Sequence, residues 1–161
     1  MSIVFANSTQ ELTYTKVADY LKTSLFRDSM RSQPNQPKFD LLYQDATLIE
    51  VEVLPWNMNP WDGDELAIVK ASSCVSIGSQ GEAELMQYLL SENSKMRFGA
   101  FQLDAAGQIL FTHSVLGGDN MDLMELQTCI LAVAAIATTY QDQITEKFGG
   151  QRAIDRVFVN V

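Results

Sequence analysis

His113 is the only imidazole in the chain, and so the only side chain whose ordinary titration falls near neutral pH. It lies in Phe111-Thr-His-Ser-Val115, where strand alternation places it on the same face as Ile109 and Phe111. A general base needs a partner within hydrogen-bond reach, and no neighbour in sequence supplies one, so a structural or surface histidine is expected. Ser72, Ser73 and Ser114 carry hydroxyls that could act as nucleophiles, but none sits in a G-x-S-x-G elbow and one histidine would have to serve any triad. Gly117-Gly118-Asp119 stands just before a helical pattern, where an anion could be bound. There is no P-loop lysine and no GxGxxG, and Asp119 with Asp122 would repel a phosphate. The glycines therefore read as loop freedom beside a helix cap. Cys74 and Cys129 are far apart with no CxxC, and with one histidine they form no zinc set. Two small, buried, unbridged thiols are expected. No catalytic residue, metal or cofactor is called for, and the chain reads as a non-enzyme.

The carboxylates are distributed unevenly. Asp40, Asp45, Glu50, Glu52, Asp62, Asp64 and Glu65 succeed one another without an intervening lysine or arginine, while Lys16, Lys22, Arg27, Arg31 and Lys38 lie in the first 38 positions. Asp62-Gly63-Asp64-Glu65 lacks the twelve-residue ligand spacing of a calcium loop. The acidic stretch reads as a solvated face or as an electrostatic surface for a basic partner segment. An ion- or small-molecule-binding regulatory role through Asp62, Asp64, Glu65, Asp119 and Asp122 stands as the alternative. Within the same stretch, Pro55-Trp-Asn-Met-Asn-Pro-Trp-Asp-Gly63 sets Trp56, Met58 and Trp61 among turn residues, outside any periodic element. Such groups either fold back over a sheet or form a partner-binding patch, for which tryptophan and methionine are well suited.

The elements that must position these residues follow from periodicity. Ser8-Thr-Gln-Glu11 fits a capping box, and the stripe Tyr14, Ala18, Leu21, Leu25 extends a first helix from about Thr9 to Met30, stopped by Pro34 and Pro37. Strands are expected over Phe39–Tyr43, Thr47–Leu54 and Glu65–Ile77, the last with a bulge near Ser72-Ser73. In the second strand Ile49, Val51 and Val53 share one face and Glu50 and Glu52 the other. Gly81–Asn93 reads as a helix, and Arg97–Leu103 and Gln108–Val115 as a hairpin around Asp104-Ala-Ala-Gly107. A third helix, capped by Asp119 or Asn120, runs to Gly149-Gly150 along a seam from Leu123 to Phe148. The apolar tail from Ala153 is expected to dock. The order α-β-β-β-α-β-β-α indicates an α+β fold, a mostly antiparallel sheet with helices packed on it.

At 161 residues the chain is expected to form one domain over residues 1–161, large enough to bury a sizeable core without disulfide or metal. With 47% hydrophobic and 19% charged residues it reads as globular. A net charge of −9 argues against nucleic-acid binding, which rests on basic residues meeting phosphate. The N-terminus lacks a basic n-region, and the longest apolar run, Cys129–Ala137, is under half of the ~20 residues that cross a bilayer. A cytoplasmic protein without membrane association is expected.

Asn93-Ser-Lys-Met-Arg-Phe-Gly-Ala-Phe-Gln-Leu-Asp-Ala-Ala-Gly-Gln-Ile-Leu-Phe-Thr-His-Ser-Val-Leu-Gly117, with the helix from Met121 to Phe148 and the following Gly-Gly-Gln-Arg-Ala-Ile-Asp155, is similar to the YbjN-type, type III secretion chaperone-like family. Within that family it resembles a mainly cyanobacterial branch. The likeness is close over the last 70 or so residues and rests elsewhere on the order of elements. It implies a secretion-chaperone fold that commonly forms homodimers, offers no catalytic residues and holds a partner polypeptide on a hydrophobic surface. It implies the fold without a link to a secretion apparatus. A homodimer binding a protein partner is the function expected.

Overall fold

The computed structural model describes residues 2–61 and 65–159. Its organising element is a six-stranded sheet in the order β1-β2-β3-β4-β6-β5, with every neighbouring pair antiparallel. The strands are β1 (Arg31–Ser32), β2 (Lys38–Tyr43), β3 (Thr47–Trp56), β4 (Leu66–Ser76), β5 (Ala100–Leu103) and β6 (Ile109–Leu116). The helices are α1 (Ser8–Thr23), α2 (Glu82–Asn93), α3 (Leu123–Phe148) and α4 (Ala153–Val159). This is the α+β arrangement that the sequence predicts, with β1 and α4 added.

Alternation along the long strands decides where the core lies. Ile49, Val51 and Val53 on β3, Val69 and Ala71 on β4, and Ile109 and Phe111 on β6 point to one face and are almost wholly excluded from solvent. α1 and α3 pack on that face, α3 contributing a buried stripe from Leu126 to Phe148. Each fully buried side chain of this size contributes about 1.5–3 kcal/mol, so this interlock dominates the fold's stability. α3 is long and apolar enough to cross a membrane by length and composition. Here its apolar stripe faces the sheet.

Several boundaries differ from the sequence reading. α1 ends at Thr23, seven residues before Met30, because Ser24 is extended and its hydroxyl bridges the Leu21 carbonyl and the Phe26 N–H. That turn drives Phe26 into the core and leaves Leu25 59% exposed. The N-cap is Asn7, not Ser8. Its carboxamide accepts from the Gln10 N–H at 2.8 Å, while the Gln10 side chain accepts from the Ala6 N–H at 2.7 Å. The arrangement resembles a capping box one residue earlier, except that the return bond goes to the residue before the cap and not to the N–H of Asn7 itself. α3 is capped by Asp122, whose Oδ1 accepts from the N–H groups of Met124 and Glu125, and not by Asp119 or Asn120. The irregularity in β4 falls between Cys74 and Ser76, beyond Ser72-Ser73. The tail docks: Ile154 is buried, Gln151 bridges to Ile77, and Arg152 forms a two-pronged pair with Asp155.

Candidate functional site

The second face of the sheet carries no long helix among the described residues, and its composition follows from the strand register. Five cross-strand rows run across it. At one end Leu42 stands opposite Leu48, and Cys74 opposite Leu110. Next come Asp40, Glu50, Ser72 and Thr112, each paired to the one before. The central row is Lys38, Glu52, Lys70 and Ser114. Then Leu54, Ile68 and Leu116 follow in register, and finally Trp56 opposite Leu66. The open face is therefore two apolar bands separated by a polar one.

The polar band is internally neutralised at its centre. Lys38 lies 3.3 Å from Glu50 and 3.7 Å from Glu52, and Lys70 lies 3.8 Å from Glu52. Partial burial alone would lower the Lys38 pKa, but Glu50 and Glu52 outweigh it and hold the ammonium above its ordinary value. The ladder keeps the band charged and hydrated, so the two apolar bands stay distinct.

The first apolar band floors a groove of about 710 Å³. Leu42, Leu48, Leu110 and Cys74 line it, Ala153 of α4 flanks it, and Arg31, Asp40, Glu50 and Asp104 stand around it. Burial, with the Asp104 charge adding to it, pushes the Cys74 thiol up to about 11, so it is an unreactive floor group and not a nucleophile. Cys129 lies under the opposite face, its thiol also raised by burial to about 11. Both cysteines are free, as the sequence reading holds, though Cys74 is only partly buried.

The second apolar band continues into the tryptophan–methionine segment. Trp56 closes β3 on the open face and is half-buried, Met58 is 93% exposed and Trp61 56%. The segment is shaped by Asn59, whose amide donates to the Trp56 carbonyl and whose Oδ1 accepts from the Trp61 N–H. Met58 and Trp61 thus stand out from the fold instead of turning over the core.

The edges of the sheet are closed differently. On β5, Phe101 turns its N–H and carbonyl away from β6, and the Asn93 side chain meets both: Oδ1 accepts from the N–H at 2.6 Å and Nδ2 donates to the carbonyl at 3.1 Å. One carboxamide thus does what a seventh strand would do. The sequence reading took Asn93 only as a helix stop.

The chemistry-bearing residues are scattered. His113 is half-buried beneath the sheet, edge-on to Phe98 at 5.5 Å, in a cavity of about 370 Å³ with Asp122, Glu125 and Cys129. Phe98 and Met124 at its mouth are 48% and 69% exposed. Ser73 donates its hydroxyl to the Leu48 carbonyl at 2.7 Å, and Ser72 and Ser114 are on the open face, away from His113. Among the described residues no serine hydroxyl is hydrogen-bonded to the imidazole. The Gly117 and Gly118 N–H groups donate to the Ala67 carbonyl and the Thr13 hydroxyl, and Lys16 holds the carbonyls of Gly118 and Asp119. That loop is a pinned turn in which both glycine N–H groups are engaged within the fold and so do not point at an anion. Of the carboxylates in the ion-binding alternative, Asp62 and Asp64 lie outside the described residues, Glu65 accepts from Ser8, and Asp122 caps α3. No group of three metal-ligating side chains assembles among the described residues.

The family comparison matches residues 62–156, more than half of the chain, to TY-Chap1, described as T3SS (YopN, CesT) and YbjN peptide-binding chaperone 1. The matched stretch spans β4 to α4 and so includes Ile68, Cys74, Leu110 and Leu116 of the open face. No curated protein matches the chain.

Proposed function

Because the chain belongs to the TY-Chap1 family of type III secretion and YbjN peptide-binding chaperones, we propose that it holds a partner polypeptide on the open face of its sheet. The observation that carries this reading is the apolar band of Leu54, Ile68, Leu116, Trp56 and Leu66 on a face without a long helix, prolonged by the exposed Met58 and Trp61. Contiguous apolar surface of this kind marks an interaction site, and tryptophan and methionine are the side chains that re-pack against varied partners. The proposal treats residues 1–161 as one module, acting in the cytoplasm as a homodimer without a reaction of its own. It includes Trp56, Met58 and Trp61 in the partner-binding surface.

A peptide array probed with the labelled protein tests the reading. Ile68→Lys places a charge in the middle of the band, and Trp61→Ala trims its extension; both are expected to erase most bound spots while leaving the circular dichroism melt unchanged. Arrays that look the same for wild type and both variants would remove the open face as the seat. Light scattering of the same samples reports the homodimer, and a strictly monomeric mass would overturn that part.

A further inference from the structure

We infer that α4 is an occupant the chain carries for its own seat, which a polypeptide engaging both apolar bands displaces, an inference that rests on the reading of the open face as a polypeptide seat. α3 lies on the core face of the sheet, whereas Ala153 of α4 lines the groove on the other face together with Leu42, Leu48, Leu110 and Cys74. Ile154 beside it is buried, and the strands that α4 packs on are β3 and β4. Burial and the Asp104 charge raise the Cys74 thiol, and the Arg156 cation reaches it from α4 and offsets part of that rise. Seven residues thus cover part of the first band and leave the band of Leu54, Ile68 and Leu116 open.

The chain is fixed firmly where it crosses from one face to the other. Gln151 and Ile77 exchange both backbone hydrogen bonds at 2.9 Å, the Gly149 carbonyl accepts from the Ser79 hydroxyl at 2.9 Å, and the Phe148 carbonyl accepts from the Gln80 N–H at 2.7 Å. Gly150 has φ +86, and a methyl there would sit 2.5 Å from the Ile77 carbonyl, so the crossing is tight. α4 itself is held more weakly. It has only two turns, and Ile154, Val157, Phe158 and Val159 are poor helix formers. A segment of that length and composition does not hold a helix alone, so its helicity comes from docking. The Arg152–Asp155 pair lies within the segment, and the 3.7 Å contact of Arg152 with Asp142 on α3 is a surface pair of little strength. Undocking and unwinding are then one local event that leaves α3 and the crossing in place.

Competition follows from this placement. A segment that touches only the open band leaves α4 where it is. One that also enters the groove replaces α4, and its apparent affinity is reduced by the fraction of molecules in which the first band is free. α4 therefore sorts partners by how much apolar surface they bring. While no partner is bound, it also shortens the apolar surface that copies of the chain present to one another.

A synthetic peptide of roughly 18 residues, ~27 Å long as a helix, tests this, with a leucine stripe and glutamine at the remaining positions. Ile154→Ser removes the buried anchor of α4, and Ile154→Val keeps it. Fluorescence anisotropy with the full chain is expected to show Ile154→Ser binding the peptide about three- to tenfold more tightly than wild type, with Ile154→Val near wild type. That gain corresponds to a first band free in about a third to a tenth of wild-type molecules. Hydrogen exchange of the wild-type chain reads the same event without a variant: adding the peptide should speed exchange over residues 153–159 and leave α3 as it was. Equal or weaker binding by Ile154→Ser, with exchange over α4 unchanged or slowed, would overturn the displacement, and the seat would stand if Leu110→Lys and Ile68→Lys still weaken the peptide. Binding indifferent to Leu110→Lys and Ile68→Lys would overturn both.

Discussion

Asn93→Ala removes the clamp on the β5 edge, and its cost can be worked from two bonds. The Phe101 N–H and carbonyl each lose a partner in a partly buried setting. At about 0.5–1.5 kcal/mol net per hydrogen bond the loss is about 1–3 kcal/mol. Asn93 is also the last residue of α2, where alanine is the better helix former by up to ~0.7 kcal/mol. The net destabilisation expected is about 0.5–2.5 kcal/mol, and at ~2–4 °C per kcal/mol for a chain of this size the Tm falls by about 1–10 °C. Urea unfolding at two protein concentrations is the assay, with Gln87→Ala, an exposed α2 site, as the control that changes helix propensity alone. A second effect separates the clamp from ordinary side-chain truncation. The freed edge can pair with another chain, so light scattering of Asn93→Ala should rise with concentration while Gln87→Ala stays at the wild-type value. An Asn93→Ala variant as stable as the control, with unchanged scattering, would refute the reasoning.

Gly99→Ala should be more damaging than its size suggests. Gly99 has φ +76, and a methyl there would sit 2.5 Å from the Thr112 carbonyl and 2.8 Å from the Phe111 ring. A loss of about 2 kcal/mol or more in urea is expected. Tyr20 and Tyr140 should behave oppositely. The Tyr20 hydroxyl is buried without a partner among the described residues, so Tyr20→Phe is expected to be neutral or stabilising by up to ~1 kcal/mol, whereas Tyr140→Phe breaks a 2.6 Å bond to Glu92 and should cost about 1 kcal/mol in the same titration. Glu92 has its pKa lowered by the bonds from Lys95 and Tyr140, so its contribution is complete above the ordinary carboxylate range and is lost as pH falls through the depressed folded value. A thermal scan from pH 6 to pH 2 should show a loss that Glu92→Gln reduces, and parallel curves would contradict it.

Periodic elements were legible from the chain because burial enforces their period. α2, α3 and the β5–β6 hairpin lie where alternation and the three-to-four spacing put them, since a one-residue slip would turn Phe111 or Ile130 out of the core. Boundaries were less legible where several residues could do the same job. Asp119, Asn120 and Asp122 are all competent caps, and the turn from Gly118 to a buried Met121 selects the last. Leu25 and Met30 continue the α1 stripe by chance, and only the folded context shows Phe26 reversing the chain. The open face was half visible. Glu50 and Glu52 marked β3 as having a polar side, but Leu48, Leu54 and Trp56 alternate onto that same side, and this signal shows the apolar bands once the strands are laid in register. The Asn93 clamp gave no signal, because it depends on two segments meeting in space.

The spacing of the bands on the open face sets a ruler for whatever lies on it. Leu48 and Leu54 belong to the same strand, one in each band, with six residues of β3 rise between them. At about 3.3 Å per residue the separation is ~20 Å. An extended chain reaches that far in about six residues, whereas a helix with a rise of 1.5 Å needs about 13, nearly four turns. A helical segment shorter than that touches one band at a time and exchanges between them. One long enough to bridge both must carry polar residues where it crosses Lys38, Glu52 and Lys70. Length and internal pattern, as much as composition, then set which chains stay bound.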